Sequence, residues 1–335
     1  MKSIRMIVPV VLGLMVCFLL LGCGNVTGGG GGGGGGTTSS IIYVSTTGSD
    51  DAGNGSATNP YQTIQKGLDV VVANGTVSVE SGIYVENLTW PSTEGVTLRG
   101  ASMSTTTLDA NNVNRGILIE QAESVKTAKI EKMTITKAHR TAGSGAGMEI
   151  SGTCYISSCE ISDNYGGVGA GGLSLSGNGG RIENSIIHHN VSTGYYGGGM
   201  LVNVWPELVV INCTITSNEA IDGTLGKGGG VASYGGDNTI VNCIIYGNTA
   251  AVASNEVWFR TGYGYSLSIT YSDIKGGYTG TGNLDVDPVF TSATDFHVGE
   301  TALDTATTEG APAVDYSGTT RSVPFTIGAY ERITG

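Results

Sequence analysis

The sequence predicts an all-β fold: a single-stranded right-handed parallel β-helix, or solenoid, with a short N-terminal capping helix. Three observations predict it. The first is a recurring pair, an aliphatic residue followed five positions later by isoleucine: Ile130/Ile135, Ile156/Ile161, Ile182/Ile187, Val210/Ile215, Ile240/Ile245 and Ile269/Ile274. Successive pairs start 26, 26, 28, 30 and 29 residues apart. The second is asparagine at a fixed offset. Three positions past the second aliphatic residue stand Asn164, Asn190, Asn218 and Asn248. The third is glycine, 56 of 335 residues, gathered in loops before a short alternating strand that starts at Met148, Leu173, Met200, Val231 and Val257. A unit of three short strands cannot bury its own apolar face, whereas stacked units can. No 3.6-residue periodicity runs through the units, which excludes helical repeats. The fixed period argues against a two-sheet sandwich, which needs hairpins.

The elements follow in order. Residues 1–22 read as a signal segment: Lys2 and Arg5 precede an apolar run from Ile7 to Leu21, short for a membrane span. The run ends in Leu20-Leu21-Gly22-Cys23, which resembles the bacterial lipobox. The resemblance implies cleavage before Cys23, a lipid on its thiol, and an exported protein anchored at the outer membrane or cell surface. Residues 23–40, with unbroken glycine from Gly28 to Gly36, form a flexible tether. Residues 41–110 carry the N-terminal cap and first coils. There Thr63 caps a helix with Ile64, Leu68, Val71 and Val72 on one face, closed by Asn74-Gly75. Residues 111–283 are the repeats. Residues 284–335 are a C-terminal cap region, expected because the end coils of a solenoid expose apolar edges.

Equivalent side chains of stacked coils pile into ladders. Asn164, Asn190, Asn218 and Asn248 would form one, and Asn184, Asn212 and Asn242 another, each amide pairing a neighbour as buried polar groups require. Cys213 and Cys243 share one repeat position in adjacent coils. That spacing is open both to a disulfide and to stacked free thiols.

Composition narrows the function. Net charge is -12, with 16 basic against 28 acidic residues, so the basic footprint of a nucleic-acid binder is missing. The stretches Tyr43-Val44-Ser45, Gly48-Ser49-Asp50, Asn59-Pro60-Tyr61-Gln62-Thr63-Ile64-Gln65 and Gly82-Ile83-Tyr84 resemble the N-terminal opening of pectate-lyase-like β-helix proteins. Further on, Asp287-Pro288-Val289-Phe290, Ala311-Pro312-Ala313-Val314-Asp315 and Ile327-Gly328-Ala329-Tyr330-Glu331 resemble the end of "choice-of-anchor Q" β-helix proteins. Ala311 and Thr326 depart from that pattern, where Ser and Asp are usual. Pectate-lyase-like enzymes use a Lys or Arg base beside carboxylates that hold calcium, so basic and acidic groups must share one face. The best such constellation is Lys137, Asp163 and His189, one repeat position in consecutive coils, as candidate catalytic residues. Arg140, Tyr165, His188, Tyr195 and Tyr196 are candidate carbohydrate contacts, the tyrosines by stacking on sugar rings. Asp285 and Asp287 are candidate calcium ligands, and Asp50, Asp51 and Asn54 a second set. No motif matches a lyase or hydrolase site residue by residue. Two functions therefore stay open. The preferred one is a non-catalytic, lipid-anchored platform that binds glycans or serves adhesion. The alternative is a polysaccharide lyase or glycoside hydrolase.

Overall fold

The computed structural model describes residues 40–120, 127–299 and 301–332. The signal segment, Cys23 and nearly all of the tether lie outside the described residues. The chain winds as a parallel solenoid whose strands stack into four sheets. The first sheet has nine strands, from Ile41–Val44 to Ser266–Thr270. Eight steps of roughly 4.8 Å make it about 38 Å long. The second sheet has eight strands, from Gly82–Val85 to Asp273–Ile274. The third has five two-residue strands, from His139–Arg140 to Thr249–Ala250. The fourth has seven, from Leu88–Thr89 to Val257–Phe259. The expected three strands per coil thus become four, because a two-residue strand is too short to leave a periodic trace.

Register follows the aliphatic pairs. Ile130, Ile156, Ile182, Val210, Ile240 and Ile269 pair successively in the first sheet. Ile135, Ile161, Ile187, Ile215, Ile245 and Ile274 do so in the second. All twelve are buried and form the continuous inner core. The fourth-sheet strands begin at Met148, Leu173, Met200, Val231 and Val257, as expected.

Two corners turn each coil. Between first and second sheets the corner residue is Lys132, Ser158, Asn184, Asn212, Asn242 or Tyr271, with φ between 45° and 56°. Between second and third sheets it is Lys137, Asp163, His189 or Ser217, with φ between 51° and 55°. Asparagine tolerates this left-handed backbone well, which suits it to the first corner.

One asparagine ladder forms and the other does not. Asn164 Nδ2 donates to Asn190 Oδ1 (2.9 Å), Asn190 Nδ2 to Asn218 Oδ1 (3.0 Å) and Asn218 Nδ2 to Asn248 Oδ1 (2.9 Å). The glycines of the facing loops make room for it. A Cβ at Gly147 would stand 2.8 Å from Asn164 Nδ2, and one at Gly230 2.8 Å from Asn248 Nδ2. In the last coil Glu256 occupies the place that Gly230 holds one coil earlier. Its carboxylate accepts from Asn248 Nδ2 (2.6 Å), Gly247 N (2.9 Å) and Asn248 N (3.2 Å), and so terminates the ladder. Asn184, Asn212 and Asn242 sit at the left-handed corner instead, where the side chain leaves the inner stack. Only Asn242 to Asn212 (3.4 Å) links them. Asn184 donates to Val314 O (2.7 Å) and Asn242 to Thr307 O (2.8 Å). The four cysteines Cys154, Cys159, Cys213 and Cys243 are buried free thiols. Cys213 and Cys243 stack in adjacent coils, each donating to a carbonyl of its own coil, Ile211 O (3.3 Å) and Val241 O (3.2 Å).

The N-terminal helix spans Ile64–Val70, and Thr63 Oγ1 accepts from Lys66 N (3.2 Å). Its first turn also donates to Glu86, from Ile64 N (2.8 Å) and Gln65 N (2.9 Å). Asp50, weighed above as a calcium ligand, accepts from Gln62 N, Thr63 N and Thr63 Oγ1. It thereby positions the helix start.

Residues beyond 284 do more than close the last coil. Leu284 bridges to Asp273 there. The rest runs back along the outside of the second sheet. Phe296, Tyr316 and Ala329 pack on Ile186, while Val298, Leu303 and Ile327 pack on Ile244. Arg321 is buried among Asn184 Oδ1, Gly328 O and Ala329 O, and pairs with Glu331 at 3.2 Å.

Candidate functional site

The register places Lys137, Asp163 and His189 in one row, since Thr136, Ser162 and His188 pair directly before them. Lys137 and His189 each have a partner outside the row, while the Asp163 charge acts on His189. Lys137 Nζ meets Asp109 Oδ2 at 2.6 Å, and this pair lowers the Asp109 carboxyl against the opposing effect of its burial. His189 Nδ1 lies 2.6 Å from His188 Nδ1. Burial, then the neighbouring His188, lowers the His189 pKa. His188, expected among the sugar contacts, is 4% exposed. Phe296 covers its ring at 4.7 Å, and its Nε2 meets Glu160 Oε1 at 3.0 Å. Tyr316 OH donates to the other oxygen of Glu160 (3.2 Å). The C-terminal segment therefore closes this face.

Asp285 and Asp287 hold their own turns: Asp285 Oδ1 accepts from Gly276 N (3.0 Å) and Asp287 Oδ1 from Val289 N (3.0 Å). Among the described residues no three His, Cys, Asp or Glu side chains converge as a metal-holding group.

The opposite flank is open. It is built by the third sheet, the fourth sheet and the glycine-rich loops that join them. In the outward row of the third sheet His139 pairs with Tyr165 and Tyr165 with Val191. The His139 and Tyr165 rings lie 4.8 Å apart. One coil beyond Tyr165, the loop after Val191 carries Tyr195 and Tyr196. Two coils beyond that, Trp258 stacks on Tyr196, with centroids 4.9 Å apart and planes at 20°. Tyr234 touches Tyr196 at 5.3 Å and Trp258 at 6.3 Å.

Local structure turns these rings outward. Trp258 pairs with Ala232, whose strand neighbour Val231 faces the core. A bulge between Val202 and Asn203 on one strand and Ser233 and Gly235 on the next leaves Tyr234 unpaired. A bulge of this kind re-aims a side chain out of strand alternation. Arg260 lies over Tyr234 (4.2 Å) and Tyr263 (3.5 Å), and Lys227 Nζ over Trp258 (5.2 Å). Tyr265 runs nearly parallel to Tyr263 (6.5 Å, 16°) and meets Trp205 edge-on at 5.9 Å. Tyr195, Trp205 and Tyr263 are 45%, 60% and 59% exposed, so part of each ring remains accessible to a ligand.

Of the expected sugar contacts, Tyr165, Tyr195 and Tyr196 belong to this flank, and Arg140 lies at its N-terminal end. Sequence reasoning missed Trp205, Lys227, Tyr234, Trp258, Arg260, Tyr263 and Tyr265. They hold no common repeat position, so no ladder announces them. The available signal was the placement of Trp205 and Trp258, two of three tryptophans, within the run from 195 to 265 that also holds six tyrosines.

Comparison with known proteins adds the following. No curated protein sequence matches the chain. Among solved structures, pectate lyase Pel9A is similar at 16% identity, over 89% of this chain and 97% of that one, with TM-score 0.46. Pectin methylesterase PemA from Erwinia chrysanthemi is similar at 12% identity, over 73% and 92%, with TM-score 0.39. The complex of XylC with xylose is similar at 10% identity, over 88% and 98%, with TM-score 0.27. None of these likenesses bears on activity. The family model described as a right handed beta helix region matches residues 70–281, and the chain belongs to that family.

Proposed function

We propose that the protein is a non-catalytic carbohydrate-binding platform, held at the bacterial surface by a lipid on Cys23. The single observation that carries this reading is the aromatic track of Tyr195, Tyr196, Tyr234, Trp258, Tyr263, Tyr265 and Trp205 on an open flank. Flat rings held rigid by one another present area to the C–H faces of sugars at little entropic cost, and their polar edges bond hydroxyls. Arg260 and Lys227 extend the polar rim and stack on the rings as cation–π partners. A solenoid suits the task, since its stacked loops form an extended surface that matches a polymer. The Leu20 to Cys23 sequence and the glycine run after it support anchoring and stand-off from a membrane. The "choice-of-anchor Q"-like stretches support surface display.

The test is a panel of plant and bacterial polysaccharides. Retention is read by affinity electrophoresis, and turnover by new reducing or unsaturated ends, with and without calcium. Retention that Trp258→Ala abolishes, with no new ends, supports the platform. New ends from any member of the panel would overturn it in favour of a lyase or hydrolase.

A further inference from the structure

The N-terminal end of the same flank carries a group that the aromatic track does not use. In the third sheet the inward row reads Arg140, Gly166, Ser192, Ala220, Ala250. Four coils place a small residue there, and one places an arginine. Its guanidinium lies beneath the loop that follows. A Cβ on Gly143 would stand 2.9 Å from Arg140 Nε and 3.2 Å from Arg115 Nη2, so both guanidiniums crowd one point. Gly143 has φ +88°, and a side chain there would be strained as well as obstructed.

The charges do not balance. Arg115 pairs with Glu149 and donates from Nε to Ser144 O (3.2 Å). Among the described residues no carboxylate pairs with Arg140. Its Nη1 donates to the neutral Asn114 Oδ1 (3.0 Å), and its Nε is buried with no acceptor among the described residues. Arg140 also acts on Arg115, whose pKa is lowered by burial first and by the Arg140 charge after the opposing effect of Glu149. This is an acid-rich chain of 28 carboxylates, and none of those described reaches Arg140. Beside it opens a cleft of about 450 Å³, lined by Asn112, Val113, Asn114, His139, Arg140 and Thr141, among others.

We infer that this cleft is a binding site for an oxyanion: a carboxylate, sulfate or phosphate group, free or carried on a glycan. The planar fork of Arg140 gives paired donors to such a group, and beside Arg115, whose charge is met by Glu149 and by the field of Glu120, the Arg140 charge is left for it to neutralise. His139 and the amides of Asn112 and Asn114 supply further donors at the rim. The inference stands on the Arg115–Arg140 geometry and does not need the aromatic track to bind sugar.

The experiment titrates the purified full-length protein with sodium sulfate, inorganic phosphate and acetate at constant ionic strength, by calorimetry. It then titrates a sulfated or carboxylated oligosaccharide against its neutral counterpart. Arg140→Gln and Trp258→Ala are run beside the unsubstituted protein, with melting curves to establish that each is folded. At least one anion is expected to bind with a Kd that rises tenfold or more in Arg140→Gln and is unchanged for free anions in Trp258→Ala. Binding of the free ions identifies a small-anion site. Binding only of the charged oligosaccharide identifies a glycan-borne group. Equal isotherms for the folded Arg140→Gln and the unsubstituted protein, or no heat with any anion, would overturn the proposal. Failure of the neutral oligosaccharide alone counts against the aromatic track and not against this site. If Arg140→Gln does not fold, Asn114→Ala at the exposed rim replaces it and is expected to weaken the same anion at least threefold; an unchanged Kd would overturn the proposal.

Discussion

The outer faces of the second and fourth sheets are made by the same repeat and treated in opposite ways. The second-sheet face is covered by the chain's own C-terminal segment, with Phe296 on His188, Tyr316 on Glu160 and Arg321 on Asn184. The fourth-sheet face is left bare and filled with rings that pack on one another. The covered face holds His188, His189 and a buried ion pair, the groups most suggestive of chemistry. The bare face holds aromatics and cations, the groups suited to binding. Solvent access therefore ranks the two faces differently from residue chemistry, which alone favoured the His189 side.

Substitutions on the two faces test this contrast, and the largest effect belongs to the covered face. Arg321→Ala leaves Glu331 and the carbonyls of Gly328 and Ala329 without their buried donor. It is expected to cost about 3–5 kcal/mol, the usual consequence of removing one partner of a buried ion pair. It should also expose residues 290–332 to protease before the repeats melt. A loss below ~1 kcal/mol would show that this segment is not held by Arg321. Next comes Asn190→Ala in the inner ladder, which strands Asn164 and Asn218 groups and should cost ~1–3 kcal/mol in chemical denaturation. Asn212→Ala, at the corner, should cost less, and equal values would contradict the difference between the two asparagine rows.

Acid acts on the covered face more gently. The His189 pKa is lowered by burial and by His188, and that of Glu160 is lowered by His188 and Tyr316 against the opposing effect of its own burial. Both groups are depressed in the folded protein. The stability they contribute is present above their ordinary values and is lost as pH falls through the folded ones. Hydrogen exchange around Phe296 and Tyr316 should therefore quicken as pH drops below about 6.5 and again below about 4.5, relative to the inner strands and after correction for intrinsic rates. Exchange there that stays level with the inner strands would mean that the histidine–glutamate contacts do not secure the segment. The smallest effect on stability is expected on the bare face. Trp258→Ala should change unfolding free energy by no more than ~1 kcal/mol while lowering glycan retention at least tenfold. This follows because a half-buried surface ring carries little core packing. A large stability loss would make the track part of the fold instead of a ligand surface.

Much of this architecture was legible in the sequence because stacking forces equivalence. The aliphatic pairs gave the register of two sheets, and the fourth-sheet strand starts fell where alternation placed them. Asn164 to Asn248 formed their ladder because their positions face inward. Asn184, Asn212 and Asn242 had the same spacing, but the left-handed corner turned them outward, and spacing alone does not carry that direction. The covering of His188 depended on contacts over more than a hundred residues of sequence. The aromatic track depended on a bulge at Tyr234 and on loops of unequal length. A repeat predicts what recurs, and the open flank is assembled from what does not.

Glu256 carries one more consequence. Gly172, Gly199 and Gly230 hold in successive coils the place that Glu256 holds in the last, each beside one amide of the ladder whose final member, Asn248, the carboxylate satisfies. The extent of the stack is thus set by where an acid first replaces a glycine. For the inner ladder, a duplicated unit of 26 to 30 residues upstream of Glu256 brings its own glycine while the terminator stays with the last copy. The outer cover is the stricter ruler of length, because the C-terminal segment is cut to the coils of Asn184, Ile186 and Ile244.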